Sequence, residues 1–72
     1  MDEREQFATN FQKMFNACGK KQKDFADEVG VSQALISAFL LGKNIPSLFT
    51  FKRLCHALEC DYEDLLGKVD EE

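Results

Sequence analysis

Residues 22–42, QKDFADEVGVSQALISAFLLG, decide the fold of this chain. The stretch divides into a helix over Gln22–Val29, a turn at Gly30-Val31 and a second helix over about Ser32–Leu41. Phe25, Ala26, Val29, Val31, Ile36, Phe39 and Leu40 are its apolar positions. Ala26 is small where two crossing helices need close approach. Gly30 lacks a Cβ and can take the positive φ that ends a helix and reverses the chain. Val31 is then an apolar plug under the turn. Ser32 stands at the N-cap of the second helix, where its hydroxyl can accept an orphan backbone N–H.

A helix, a turn containing glycine and a second helix that opens at a cap form a helix-turn-helix. Gln22, Ala26, Gly30, Val31, Ser32, Ile36, Ser37 and Gly42 resemble the Q, A, G, V, S, I, S and G of the phage Cro/lambda-repressor-like family, the xenobiotic-response-element (XRE) type. The resemblance continues through Lys43, Pro46, Ser47, Leu48, Leu54, Ala57, Leu58, Leu65 and Leu66, and covers residues 11–67. It implies an all-α, five-helix lambda-repressor-like domain, one domain over residues 1–72, that binds double-stranded DNA in a sequence-specific way. The expected role is a transcriptional regulator, a repressor of phage or bacterial origin, acting on a palindromic operator.

Composition agrees with a small globular domain. Seventy-two residues, 44% apolar, suit a single core and argue against disorder. Seven Phe and no Trp supply much of the core volume. No stretch approaches the roughly eighteen apolar residues of a membrane span. The start, MDEREQ, is polar and acidic, unlike a signal peptide, so a cytoplasmic protein is expected. The net charge of −4 is unevenly spread. Residues 1–12 carry Arg4 against Asp2, Glu3 and Glu5, net −2. Residues 13–53 carry Lys13, Lys20, Lys21, Lys23, Lys43, Lys52 and Arg53 against Asp24, Asp27 and Glu28, net +4. Residues 54–72 are net −6. The segment that would face DNA is basic, and the acid lies at the two ends.

Outward from the central pair, Phe7, Phe11, Met14, Phe15 and Cys18 form the apolar stripe of a first helix over about Glu3–Cys18, stopped by Gly19. Lys20-Lys21 links it to the pair. The family usually has Thr before the Gln; Lys21 stands there and cannot cap. Either a nearby phosphate or a neutral surface position explains it. Pro46 biases Ile45 away from helical angles, so the second helix of the pair ends at a Gly42 cap. Ser47 caps a fourth helix, about Leu48–Leu58, with Phe51, Leu54, Cys55 and Leu58 inward and Lys52 and Arg53 solvated. Asp61 caps a fifth, Asp61–Leu66, with Asp64 three residues on; Tyr62, Leu65 and Leu66 are its apolar side and Gly67 its stop. Residues 68–72 read as a frayed acidic tail.

The resemblance sends the outer face of the second helix of the pair into the major groove. Gln33, Ala34, Ser37 and Ala38 are the base-contact candidates. Gln33 is the long side chain able to bond adenine bidentately, and the alanines suit thymine methyls. Lys21, Gln22, Lys23, Ser32, Lys43, Asn44 and Ser47 are the phosphate-contact candidates. The loop and the start of the fourth helix offer free backbone N–H groups to an anion. A half-site per monomer implies a homodimer, with Cys60, Tyr62 and Leu65 as its expected surface. The family often has Glu at Leu40 and a polar residue at Leu41. The apolar FLLG run is either deeper core or a contact with another protein.

Cys18, Cys55 and Cys60 fit reduced thiols at core positions. Their spacing with His56 matches no zinc pattern, so no metal, cofactor or small-molecule ligand is expected. One His and no nucleophile–base arrangement give no support for an enzyme. The competing function is a protein-binding module on the same fold: antitoxin-like, anti-repressor or oligomerisation domain. The FLLG run and the uncharged outer face favour it.

Overall fold

The structure, a computed structural model, describes residues 2–67; the expected acidic tail at 68–72 lies outside the described residues. The described residues form five helices: α1 (Glu3–Cys18), α2 (Gln22–Val29), α3 (Gln33–Leu40), α4 (Leu48–Leu58) and α5 (Tyr62–Leu66). The bounds of α1, α2 and α4 are those expected. α3 and α5 start one residue later, because Ser32 and Asp61 are extended caps rather than helical residues.

Phe11 explains why the helices gather as they do. It is fully buried, with its ring centroid 5.6 Å from Phe7, 5.9 Å from Phe25, 6.1 Å from Phe15 and 6.4 Å from Phe39. Rings from α1, α2 and α3 therefore meet around one side chain, and Phe51 of α4 joins through Phe7 at 6.1 Å. Offset and edge-on ring pairs of this kind add to the area they bury. Ile36, Leu54 and Leu65 complete the core with no exposed surface.

The turn between α2 and α3 forms as the residues demand. Gly30 takes φ 87°, and the N–H groups of Gly30 and Val31 both donate to Ala26 O, at 2.8 and 3.0 Å. Val31 is half-buried against the core beneath them. The end of α3 differs from expectation. Its C-cap is Leu41 in a helical conformation, and Gly42 is the next residue, at φ 74°. Gly42 N–H donates to Phe39 O and Lys43 N–H to Ala38 O, a paired closure that requires the left-handed glycine.

The FLLG run splits. Leu40 packs partly buried against the core, whereas Leu41 is 67% exposed. The deeper-core expectation thus fails for Leu41, because its helical backbone sets it seven residues, two turns, after the exposed Ala34 on the same face. Leu35 also packs on the core. α5 needs a similar correction: of its expected apolar side only Leu65 is buried, while Leu66 is exposed and Tyr62 is half-covered, its ring 5.3 Å from Phe51. A helix of five residues has room for one inward position in this packing. Leu48 and Phe49, in the first turn of α4, are also exposed.

Two side chains of α1 anchor the ends of other helices. Gln12 Nε2 donates to Leu40 O at 2.9 Å, and Asn10 Nδ2 donates to Leu65 O at 3.0 Å. Each satisfies a carbonyl that its helix leaves without a partner. Among the described residues no helix is long and apolar enough to cross a membrane.

Candidate nucleic-acid interface

The candidate residues sit on three segments: the start of α2, the outer face of α3, and the α3–α4 loop with the start of α4. Their order follows from the Gly30 turn, which lays α3 across α2, and from Gly42 and Pro46, which turn the chain away after α3.

At the start of α2, Lys21 occupies the N-cap position and makes no side-chain cap. Lys21 and Lys23 are exposed and Gln22 is half-buried. Gln22 Oε1 accepts a hydrogen bond from Ser37 Oγ at 2.7 Å. A phosphate candidate and a base candidate are thus bonded to each other, which leaves the Gln22 amide N–H groups as free donors. Lys20 plays a different part. Its Nζ lies 2.6 Å from Glu28 Oε1 and 3.5 Å from Ala57 O, so it ties the α1–α2 link to α2 and α4. The hydrogen bond to Glu28 raises its pKa above the usual lysine value.

On α3, Gln33 and Ala34 are exposed, and Ser37 and Ala38 are half-buried. Ala34, Ser37, Ala38 and Leu41 recur at i, i+3, i+4 and i+7 and form the outermost stripe. Gln33 is not on the side of α3 opposite the buried Ile36, where its expected place on the outer face would put it. Three helical residues turn the chain to within about 60° of the starting direction, so Gln33 lies on the flank of the outer face. It reaches solvent because it is in the first turn. Ser32 Oγ accepts Leu35 N–H at 3.1 Å, and the hydroxyl proton stays available to an acceptor outside the protein.

After α3, Lys43 and Asn44 are exposed. They border an open depression of about 520 Å³ whose lining also includes Leu35, Phe39, Ser47 and Arg4. Ser47 is more occupied than expected. Its Oγ accepts Thr50 N–H at 3.3 Å and donates to Thr50 Oγ1 at 3.1 Å, so its hydroxyl is engaged in capping α4. A phosphate there would meet the backbone amides first. Arg4 was hidden in the sequence by the acidic residues around it.

The expected dimer surface is brought together only in part. Leu65 is fully buried and has no surface to offer a partner, and Cys60 is half-buried against the core. Tyr62 and Leu66 are the outward apolar residues of α5.

The three cysteines sit at or beside the core. Cys55 is buried, and that burial, with Cys60, Asp61 and Asp64 nearby, pushes its thiol up to about 12. Burial also raises Cys60. The Cys18 thiol donates to Phe15 O at 2.9 Å. His56 is exposed. Among the described residues no group of three or more His, Cys, Asp or Glu is placed to hold a metal ion.

A family model described as helix-turn-helix, of the Cro-type or XRE family, matches residues 11–65, which take in the interface from Gln22 to Ser47. No curated protein and no solved structure matched the chain. With most of its length matched and a five-helix, all-α fold around the central helix pair, the chain belongs to the Cro-type helix-turn-helix family of DNA-binding domains.

Proposed function

We propose that the protein is a cytoplasmic transcriptional regulator, acting as a repressor, that binds a palindromic DNA operator as a homodimer. α3 enters the major groove. Gln33, Ala34, Ser37 and Ala38 face bases, and Lys21, Gln22, Lys23, Ser32, Lys43, Asn44 and the amide of Ser47 hold phosphates on either side. The observation that carries this reading is exposure: Gln33 and Ala34 on α3, and Lys21, Lys23, Lys43 and Asn44 in the segments before and after it, all reach solvent. Small residues let a helix backbone approach base edges closely, and cations on the flanks supply the sequence-independent part of the affinity. The near absence of charge on the outer face assigns a larger share of specificity to DNA shape.

The second copy docks on Tyr62 and Leu66, the exposed apolar residues of α5. Two-fold symmetry then sets the half-site spacing. Selection of bound sites from a random duplex pool tests the reading: a two-fold symmetric consensus supports it, and an unenriched pool contradicts it. Sedimentation on the selected duplex tests the stoichiometry, with two copies per site expected and one copy contradicting the dimer.

The exposed Leu41, Leu48 and Phe49 favour one competing reading, a protein-binding module. Large apolar side chains at high exposure mark contacts more often than scattered surface residues do. Failure to bind any duplex at low salt, with the fold intact, would select it.

A further inference from the structure

Arg4 lies N-terminal to the matched segment, which begins at residue 11, so the family pattern does not supply it. Its place on α1 is unusual in two ways. Arg4, Phe7, Ala8 and Phe11 recur at three- and four-residue spacing, so Arg4 continues the line of the core-facing residues while being itself exposed. It also sits in the first turn, beside the positive end of the helix dipole, where acids are favoured and cations are not. Glu3 and Glu5 obey that preference; Arg4 does not.

The packing shows where the stripe leads. α1 passes so close to the end of α3 that a Cβ on Gly42 would stand 3.4 Å from Ala8 Cβ and 3.5 Å from Arg4 O. One turn beyond the core, Arg4 lines the depression beside the α3–α4 loop, with Lys43, Asn44, Ile45 and Ser47. An arginine stem can lie along apolar surface such as Ile45 while its head stays in water. Two cations face this depression and no carboxylate lines it. Among the described residues the one ion pair is Lys20–Glu28, so neither Arg4 nor Lys43 is paired with a described carboxylate. Glu3 borders a separate groove with Leu66.

We propose that Arg4 is a DNA-backbone contact, closing with Lys43 on a phosphate beside the α3–α4 loop. A planar guanidinium suits a phosphate bidentately, where Lys43 offers a point charge. The first turns of α1, outside the shared helix-turn-helix segment, thus enlarge this chain's DNA footprint. The inference rests on the DNA-binding reading.

The test is the salt dependence of binding to a scrambled duplex by the full chain and by R4Q, R4K, K43A and R4Q/K43A, with circular dichroism of each. Each lost phosphate contact makes the slope of log affinity against log salt shallower by about 0.9. R4Q and K43A should each lose about one such step and the double variant about two, whereas R4K should keep the slope of the unmodified chain. An unchanged slope in R4Q, alongside a reduced one in K43A, would overturn the Arg4 contact and leave DNA binding intact. Absence of salt-dependent binding by the unmodified chain would overturn both. Arg4 is exposed, so folding of R4Q and R4K should match the unmodified chain.

Discussion

Ser37 Oγ donates to Gln22 Oε1 at 2.7 Å and joins the middle of α3 to the first residue of α2. Both residues were expected to reach DNA, and both are half-buried. The bond ties the two helices of the motif together on the side proposed to meet the duplex. A double-mutant cycle on Gln22→Ala and Ser37→Ala, read by urea unfolding, should give a coupling of about 0.5–1.5 kcal/mol. Strictly additive losses would mean that the bond contributes nothing to stability.

Glu59 closes α4 at φ 54°, the one left-handed residue other than glycine among those described. Its N–H donates to His56 O at 3.2 Å and that of Cys60 to Cys55 O at 3.0 Å, a helix ending that favours glycine. A carboxylate at the negative end of the helix dipole is unfavourable as well. Glu59→Gly relieves both and should stabilise the protein by about 1 kcal/mol, after the larger entropy of the unfolded glycine is counted. For a domain of this size that raises Tm by roughly 4–8 °C. A fall in Tm would show that the Glu59 side chain makes a contribution beyond its backbone geometry.

Cys55 couples stability to alkaline pH. The unfolded thiol ionises near 9.0 and the folded one near 12, because the core excludes the thiolate. Below pH 9 both states hold the proton. As pH rises from about 9 towards 12, the unfolded state releases its proton first, and stability falls by on the order of 1 kcal/mol per pH unit. Urea unfolding of the reduced protein at pH 7, 9 and 10.5 should show this decline, and Cys55→Ala should flatten part of it. Equal slopes for the two proteins would place the pH dependence on other groups.

The helix pattern was legible because its signals are local. Glycine at 19 and 30 and caps at Ser32, Ser47 and Asp61 determine where helices start and stop, and the three- and four-residue apolar spacing shows which face turns in. The exposure of candidate residues was legible where it follows from local position, as for Ala34 on α3 and for Lys43 and Asn44 in the loop after it. It was not legible where two distant segments decide the outcome. The Gln22–Ser37 bond spans the turn, Gln12 reaches Leu40 from another helix, and Arg4 reaches the α3–α4 loop because α1 crosses close to Gly42. The resemblance implies a dimer surface that includes Leu65, and in α5 a helix of five residues is too short for periodicity to show that Leu65 is the inward side chain. Leu41 faces outward because it continues the helical stripe of Ala34, Ser37 and Ala38, a direction that the apolar run FLLG does not reveal.

Gln33→Ala, compared with the unmodified protein on a selected duplex and on its scrambled counterpart at one salt concentration, addresses base readout by α3 most directly. Gln33 is exposed in the first turn of the helix, so the substitution removes a donor and an acceptor without disturbing the core or the net charge. Affinity for the selected duplex should fall by about 1–3 kcal/mol, with discrimination lost at one base pair per half-site. Binding to the scrambled duplex, set by phosphate contacts, should hardly change. An equal loss on both duplexes would place Gln33 on the backbone, and no loss on either, with an unchanged circular dichroism spectrum, would contradict the entry of its end of α3 into the major groove.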